Sequence, residues 1–167
     1  CHLCASSTVF VAGLRASDWL YGTLYIFADD HVVEDIVFDI GAAGSALMYS
    51  KRIPFRRIQF LRNRGFASVG LLFKTCDEVV AEGNLLADNA RGVFFEDSYR
   101  NVFRGNIVAA SDTAIVLYAG CGGNPIPGNF LPRNLTPLTN PWENTHPLSA
   151  GQPPSETREP HPHRQRP

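Results

Sequence analysis

The side chains with the most distinctive chemistry in this chain are its sulfur donors. Met48 is the only methionine and is followed by Tyr49; a thioether is a soft ligand suited to Cu(I). The cysteines are Cys1, Cys4, Cys76 and Cys121, without paired spacing. The opening Cys1-His2-Leu3-Cys4 reads as half a metal site, but a closed zinc site needs a second pair at matching spacing, and none follows. The end, His161-Pro162-His163-Arg164, offers weak ligands on a solvated tail. Acid–base chemistry is the other option, with Asp29, Asp30, Glu96 and Asp97 as candidates and Asp77-Glu78 as solvated turn formers.

What must position these groups is a repeat. Glycine recurs at Gly22, Gly44, Gly70 and Gly92, and Ala114 takes the next turn. Six residues on come Ala28, Ser50, Cys76, Ser98 and Gly120, so Cys76 reads as a small stacked residue. Fourteen on come Ile36, Ile58, Asn84, Asn106 and Gly128. A fixed period near 22 residues means stacked supersecondary units, none able to bury its apolar face alone. Each repeat holds three short apolar runs, such as Leu71-Leu72-Phe73, Val79-Val80 and Leu85-Leu86, with polar corners between them. These runs are too short for helices and fit strands separated by turns. The pattern predicts an all-β fold: a right-handed parallel β-helix of about five coils, climbing about 4.8 Å per coil. The Asn column predicts left-handed turn residues whose amides bond to backbone and to the Asn one coil above. Ile36 and Ile58 interrupt that column, so the first coils are expected to be less firmly specified. The longer step from Gly44 to Gly70 predicts a larger corner around Asn63-Arg64-Gly65-Phe66.

Three zones follow: an irregular segment or incomplete coil over 1–20, the β-helix over 21–131, and a disordered Pro-rich tail over 132–167. Of twelve prolines, eleven lie from Pro125 onward, and proline removes ladder donors. The chain begins at Cys1 rather than Met, which predicts a fragment or processed product with any targeting peptide upstream. A net charge of -1 and a pI near 6.6 leave no electrostatic footprint for nucleic acid or an anionic membrane.

Offsets from the repeat glycine separate two faces of the first strand. Offset three (Tyr25, Leu47, Phe73, Phe95, Leu117) is uniformly large and apolar, hence core. Offset four (Ile26, Met48, Lys74, Glu96, Tyr118) includes charges and faces water. Offset two (Leu24, Ala46, Leu72, Phe94, Val116) shares that outward side, so Leu24, Leu72, Phe94 and Tyr118 are candidates for a docking face. The alternative is that the tail or the N-terminal segment covers it. On the same scaffold Asp29 and Asp30 lie three coils from Glu96 and Asp97, roughly 14 Å at about 4.8 Å per coil. Paired glycosidase carboxylates sit about 5–9.5 Å apart. A lyase, epimerase or glycosidase is therefore the rival reading rather than the leading one, and a non-catalytic interaction module is the third.

Longer strings carry a resemblance. Ser45-Ala46-Leu47-Met48-Tyr49-Ser50-Lys51-Arg52, Phe60-Leu61-Arg62-Asn63-Arg64-Gly65, Gly70-Leu71-Leu72-Phe73-Lys74, Val80-Ala81-Glu82-Gly83-Asn84 and Asn101-Val102-Phe103-Arg104-Gly105-Asn106 together resemble the NosD family over about residues 21–131. The resemblance implies a periplasmic β-helix that is not an enzyme. Its implied role is to help deliver copper, as transient cargo, to nitrous oxide reductase, with a membrane ABC-type transporter and a copper chaperone as partners. One coil before Met48 the family's His and Met are Leu24 and Ile26 here. Met48 and Tyr49 are what remains of its paired strings, and they are the metal ligands the resemblance implies.

Overall fold

The computed structural model describes residues 2–4 and 8–141, with side chains from residue 8 on. The Cys1 thiol, the residues from Trp142 onward and the His161-Pro162-His163-Arg164 end lie outside the described residues. The fold is all-β: parallel strands stack as a solenoid of about six turns. The strands are β1 (His2–Cys4), β2 (Phe10–Ala12), β3 (Arg15–Ile26), β4 (Val32–Glu34), β5 (Val37–Met48), β6 (Pro54–Arg56), β7 (Gln59–Leu61), β8 (Val69–Lys74), β9 (Val80–Glu82), β10 (Leu85–Ala87), β11 (Arg91–Glu96), β12 (Val102–Arg104), β13 (Ile107–Ala109), β14 (Thr113–Tyr118) and β15 (Thr136–Thr139). Every pairing is parallel and joins a coil to the next, as in Leu72↔Phe94 and Val80↔Val102.

Pairing reaches beyond the 21–131 span expected from the repeat. Upstream, β1 pairs β3 and β2 pairs β4. Downstream, β15 pairs β14, and the Thr136 N–H donates to Asp112 O at 2.9 Å. Three short strands per coil hold from β7 onward. In the first two coils, β3 and β5 each run 12 residues, spanning what later coils divide between two strands. The division in later coils comes at Asn63, Asn89 and Ser111, where Asn63 donates to Asn89 Oδ1 and the Asn89 N–H to Ser111 Oγ. Trp19 and Gly41 occupy that column in the first coils and supply no such bonds. The larger corner predicted at 63–66 is present between β7 and β8.

The repeat glycines lie inside strands rather than at turns, because their coils press together there. A Cβ on Gly70 would sit 2.7 Å from Gly92 O, and one on Gly44 2.5 Å from the Phe60 ring. The corners are made instead by single left-handed residues, including Asp35, Arg57, Gly83, Gly105 and Gly128 in one column. This corrects one expectation: Asn84 and Asn106 do not take the left-handed conformation. The residue before each does, and the Asn side chain is thereby turned inward.

The amide bonding expected of that column is present. Asn84 and Asn106 are buried. Asn106 Oδ1 accepts from the Asn84 N–H and Nδ2 at 2.9 and 3.0 Å. A second ladder, outside the column the repeat predicts, runs from the Val79 N–H through Asn101 to Asn124. Ile36 and Ile58 pack into the core, and the Ile58 N–H starts the first ladder by donating to Asn84 Oδ1 at 3.0 Å. Stacked rings fill the interior, Phe38 on Phe60 and Phe73 on Phe95, with centroids 5.5 and 4.8 Å apart. Such pairs add about 0.5–1.5 kcal/mol each beyond burial.

Candidate functional site

The strand face singled out from the sequence is built by β3, β5, β8, β11 and β14. Strand alternation turns Tyr25, Leu47, Phe73 and Phe95 into the core, where each is at most 1% exposed. The intervening residues form two rows in register. One runs Leu24, Ala46, Leu72, Phe94, Val116; the other runs Ile26, Met48, Lys74, Glu96, Tyr118. The four docking candidates differ in what they present. Leu24 is buried, Leu72 and Phe94 are half-buried, and Tyr118 is exposed with its ring 5.8 Å from that of Phe94.

Met48 ends β5 and is half-buried between Ile26 and Lys74. The Lys74 ammonium is 3.2 Å from Glu96, which fixes the cation one coil from the thioether. Tyr49 turns the corner at φ 52° and stacks on Phe27, centroids 5.1 Å apart. Bulky residues are uncommon at positive φ, and here the stacked pair occupies the outer edge of the corner. The backbone register also aligns Cys4 with Ile26, hence with the Met48 row, and His2 with Leu24.

The remaining donors are committed elsewhere. The His31 ring is buried, with Nδ1 2.8 Å from Asp29 O and its edge toward Tyr25. Cys76 is buried in the small-residue column, where its N–H donates to Ser98 Oγ and its thiol to Leu47 O. Burial pushes that thiol up to about 11. Among the described residues no three His, Cys, Asp or Glu side chains gather where a metal ion could be held.

Several surface carboxylates are engaged by bases of the next coil. Asp29 and Asp30 face Arg52 at 3.5 and 2.7 Å, Asp35 faces Arg57 at 2.8 Å, and Asp77 faces Arg100 at 3.0 Å. Hydrogen bonding from Arg52 holds the Asp30 carboxyl below its usual range, and Arg57 does the same to Asp35. Glu82 is lowered by Arg104 and Arg56 together. These are staples between coils, and the sequence carried their signal: an acid one repeat before or after a base.

The architecture and this face define a class, the parallel β-solenoid that presents rows of outward side chains in register. Within that class the chain matches, over residues 2–147, the family described as periplasmic copper-binding protein (NosD). It belongs to that family. No curated protein matches the sequence.

Proposed function

We propose that this chain is a non-catalytic accessory protein of the periplasm that handles copper and assists its delivery to nitrous oxide reductase. In this reading a copper chaperone supplies the ion, an ABC-type membrane transporter is the docking partner, and copper is cargo rather than a resident cofactor. The observation that carries it is the family match over residues 2–147 on a parallel β-solenoid. Met48 and Tyr49 are the residues assigned to the ion, Met48 as the soft donor and Tyr49 at its side. The Leu24, Leu72, Phe94 and Tyr118 surface is assigned to docking. Of the four acid–base candidates, Asp29, Asp30 and Glu96 are each engaged by a basic side chain and Asp97 stands exposed at a corner; the non-catalytic reading rests on the family match.

The test is a Cu(I) competition titration of the reduced chain beside Met48→Ala and Cys4→Ser, since Cys4 falls in the Met48 row. Stoichiometric binding that weakens in Met48→Ala supports the assignment. Binding equal in wild type and Met48→Ala removes Met48 from the site, and no binding by the wild type removes the copper role from this chain.

A further inference from the structure

Among the described residues an exposed apolar surface lies at the first coils, meeting the docking face at Leu72. Trp19 is 62% exposed, Leu20 70%, Ile40 46%, and Phe66 is fully exposed. These side chains border a cleft of about 750 Å³ floored by Gly41, Ala42 and Ala43. Its origin is the strand difference already described. In the first coils β3 and β5 run on where later coils turn, and the corner after β7 stands out beside them. Phe66 is therefore a knob, and the cleft next to it is a hole. The knob is braced, because the Arg91 guanidinium reaches Phe66 O at 3.5 Å and lies 5.9 Å over the Phe94 ring.

Trp19 and Phe66, at about 150–250 Å² for a whole aromatic side chain, together with the exposed parts of Leu20 and Ile40, bring the patch to roughly 600 Å². That is the upper end of what a monomer leaves exposed and close to the roughly 800 Å² per partner of a stable interface. Electrostatics do not oppose association of like chains. Arg62 is paired with Asp39, and Arg64 with Asp88 and Asp112. The net charge is only -1.

We propose that this cleft is a self-association surface, occupied by a second copy of the chain in a two-fold arrangement in which Phe66 of each copy enters the cleft of the other. A knob and its complementary hole on one patch are what an isologous interface requires, and an aromatic anchor in an apolar pocket is the usual energetic centre.

The experiment is sedimentation velocity of the full chain from about 1 to about 200 µM, the range expected for a modest interface with few anchors. Phe66→Ser, Trp19→Ser and, as a control on another surface, Phe130→Ser are run alongside. The same series is followed by Trp19 fluorescence in a Trp142→Phe background. A reversible monomer–dimer equilibrium, weakened about tenfold or more by Phe66→Ser and Trp19→Ser but not by Phe130→Ser, with Trp19 emission shifting blue on association, bears the proposal out. A monomer across the whole range overturns it, as does association that survives both cleft substitutions. Phe66 is fully exposed, so its replacement leaves the core intact, and circular dichroism checks this.

Discussion

Replacing Asn106 by alanine tests the interior of this solenoid most directly. The side chain is 1% exposed. Its Oδ1 accepts from the Asn84 N–H and Nδ2, and its Nδ2 donates to Ala81 O at 3.0 Å and Asn129 Oδ1 at 3.1 Å. After truncation Asn84 Nδ2 still has Phe55 O, and Asn129 Oδ1 still accepts the Asn106 N–H. The Asn84 N–H has no replacement. One orphaned buried donor costs about 1–3 kcal/mol, and losing the other bonds brings the expected total to about 3 kcal/mol. With a urea slope of about 2 kcal/mol/M, the midpoint should fall by about 1.5 M. Urea denaturation followed by circular dichroism measures this, and amide exchange at Asn84 should accelerate in parallel. A midpoint within about 0.3 M of wild type, at unchanged slope, would refute the view that the amide ladder stabilises the stack.

Gly70→Ala should cost about 1–3 kcal/mol by overpacking, since the new Cβ would meet Gly92 O at 2.7 Å; thermal denaturation reads it, and an unchanged Tm contradicts the close approach. Cys76→Ser should be nearly neutral, within about 1 kcal/mol, because Ser50 and Ser98 already fill that column with the same bonds; a large loss in chemical denaturation would show that the thiol packs in a way serine cannot. In the native wild type, Cys76 should resist alkylation at pH 8, its thiol being buried and raised to about 11, and mass spectrometry after a timed iodoacetamide pulse decides the matter. Asp30, Asp35 and Glu82 are all lowered by arginines from ordinary values of 3.8, 3.8 and 4.5. Their contribution is therefore complete above about pH 5 and is lost as pH falls through the depressed folded values. Tm should hold from neutrality down to that point and then drop, whereas a Tm that rises on acidification would contradict the staples.

The stacked architecture was legible because it rests on steric requirements that recur in every coil. Gly22, Gly44, Gly70 and Gly92 are small because the next coil passes within about 3 Å of a hypothetical Cβ, and such a constraint writes itself into the sequence at the coil period. The amide partners of Asn84 and Asn106 were legible for the same reason. The left-handed residues were misassigned to the Asn positions because backbone conformation at a corner leaves little trace in residue type. Gly83, Gly105 and Gly128 take it at no steric cost, but Arg57 and Asp35 adopt it too, held there by coil-to-coil bonds. The arginine–carboxylate staples are legible only as a spacing, an acid one repeat from a base as at Asp30 and Arg52, because residue type alone does not separate a paired corner charge from a solvated one. The cleft was hidden because it arises from what Trp19 and Gly41 lack, the side-chain bonds that divide later coils into separate strands.

The amide ladders are not spread evenly along the stack. They begin at Ile58 and continue through Asn84, Asn89, Asn101, Asn106, Asn124, Asn129 and Asn134, whereas the coils before them are joined by strand pairing, ring stacking, ion pairs and the single hydroxyl bonds of Thr23 with Ser45 and of the Ala28 N–H to Ser50. In a stack whose coils bond mainly to their neighbours, with Arg64 reaching two coils on to Asp112, that makes a mechanical gradient. Held by its two ends in an optical trap, the chain should behave as a spring of graded stiffness, peeling from the N-terminal side at low force and yielding its asparagine-laced coils last.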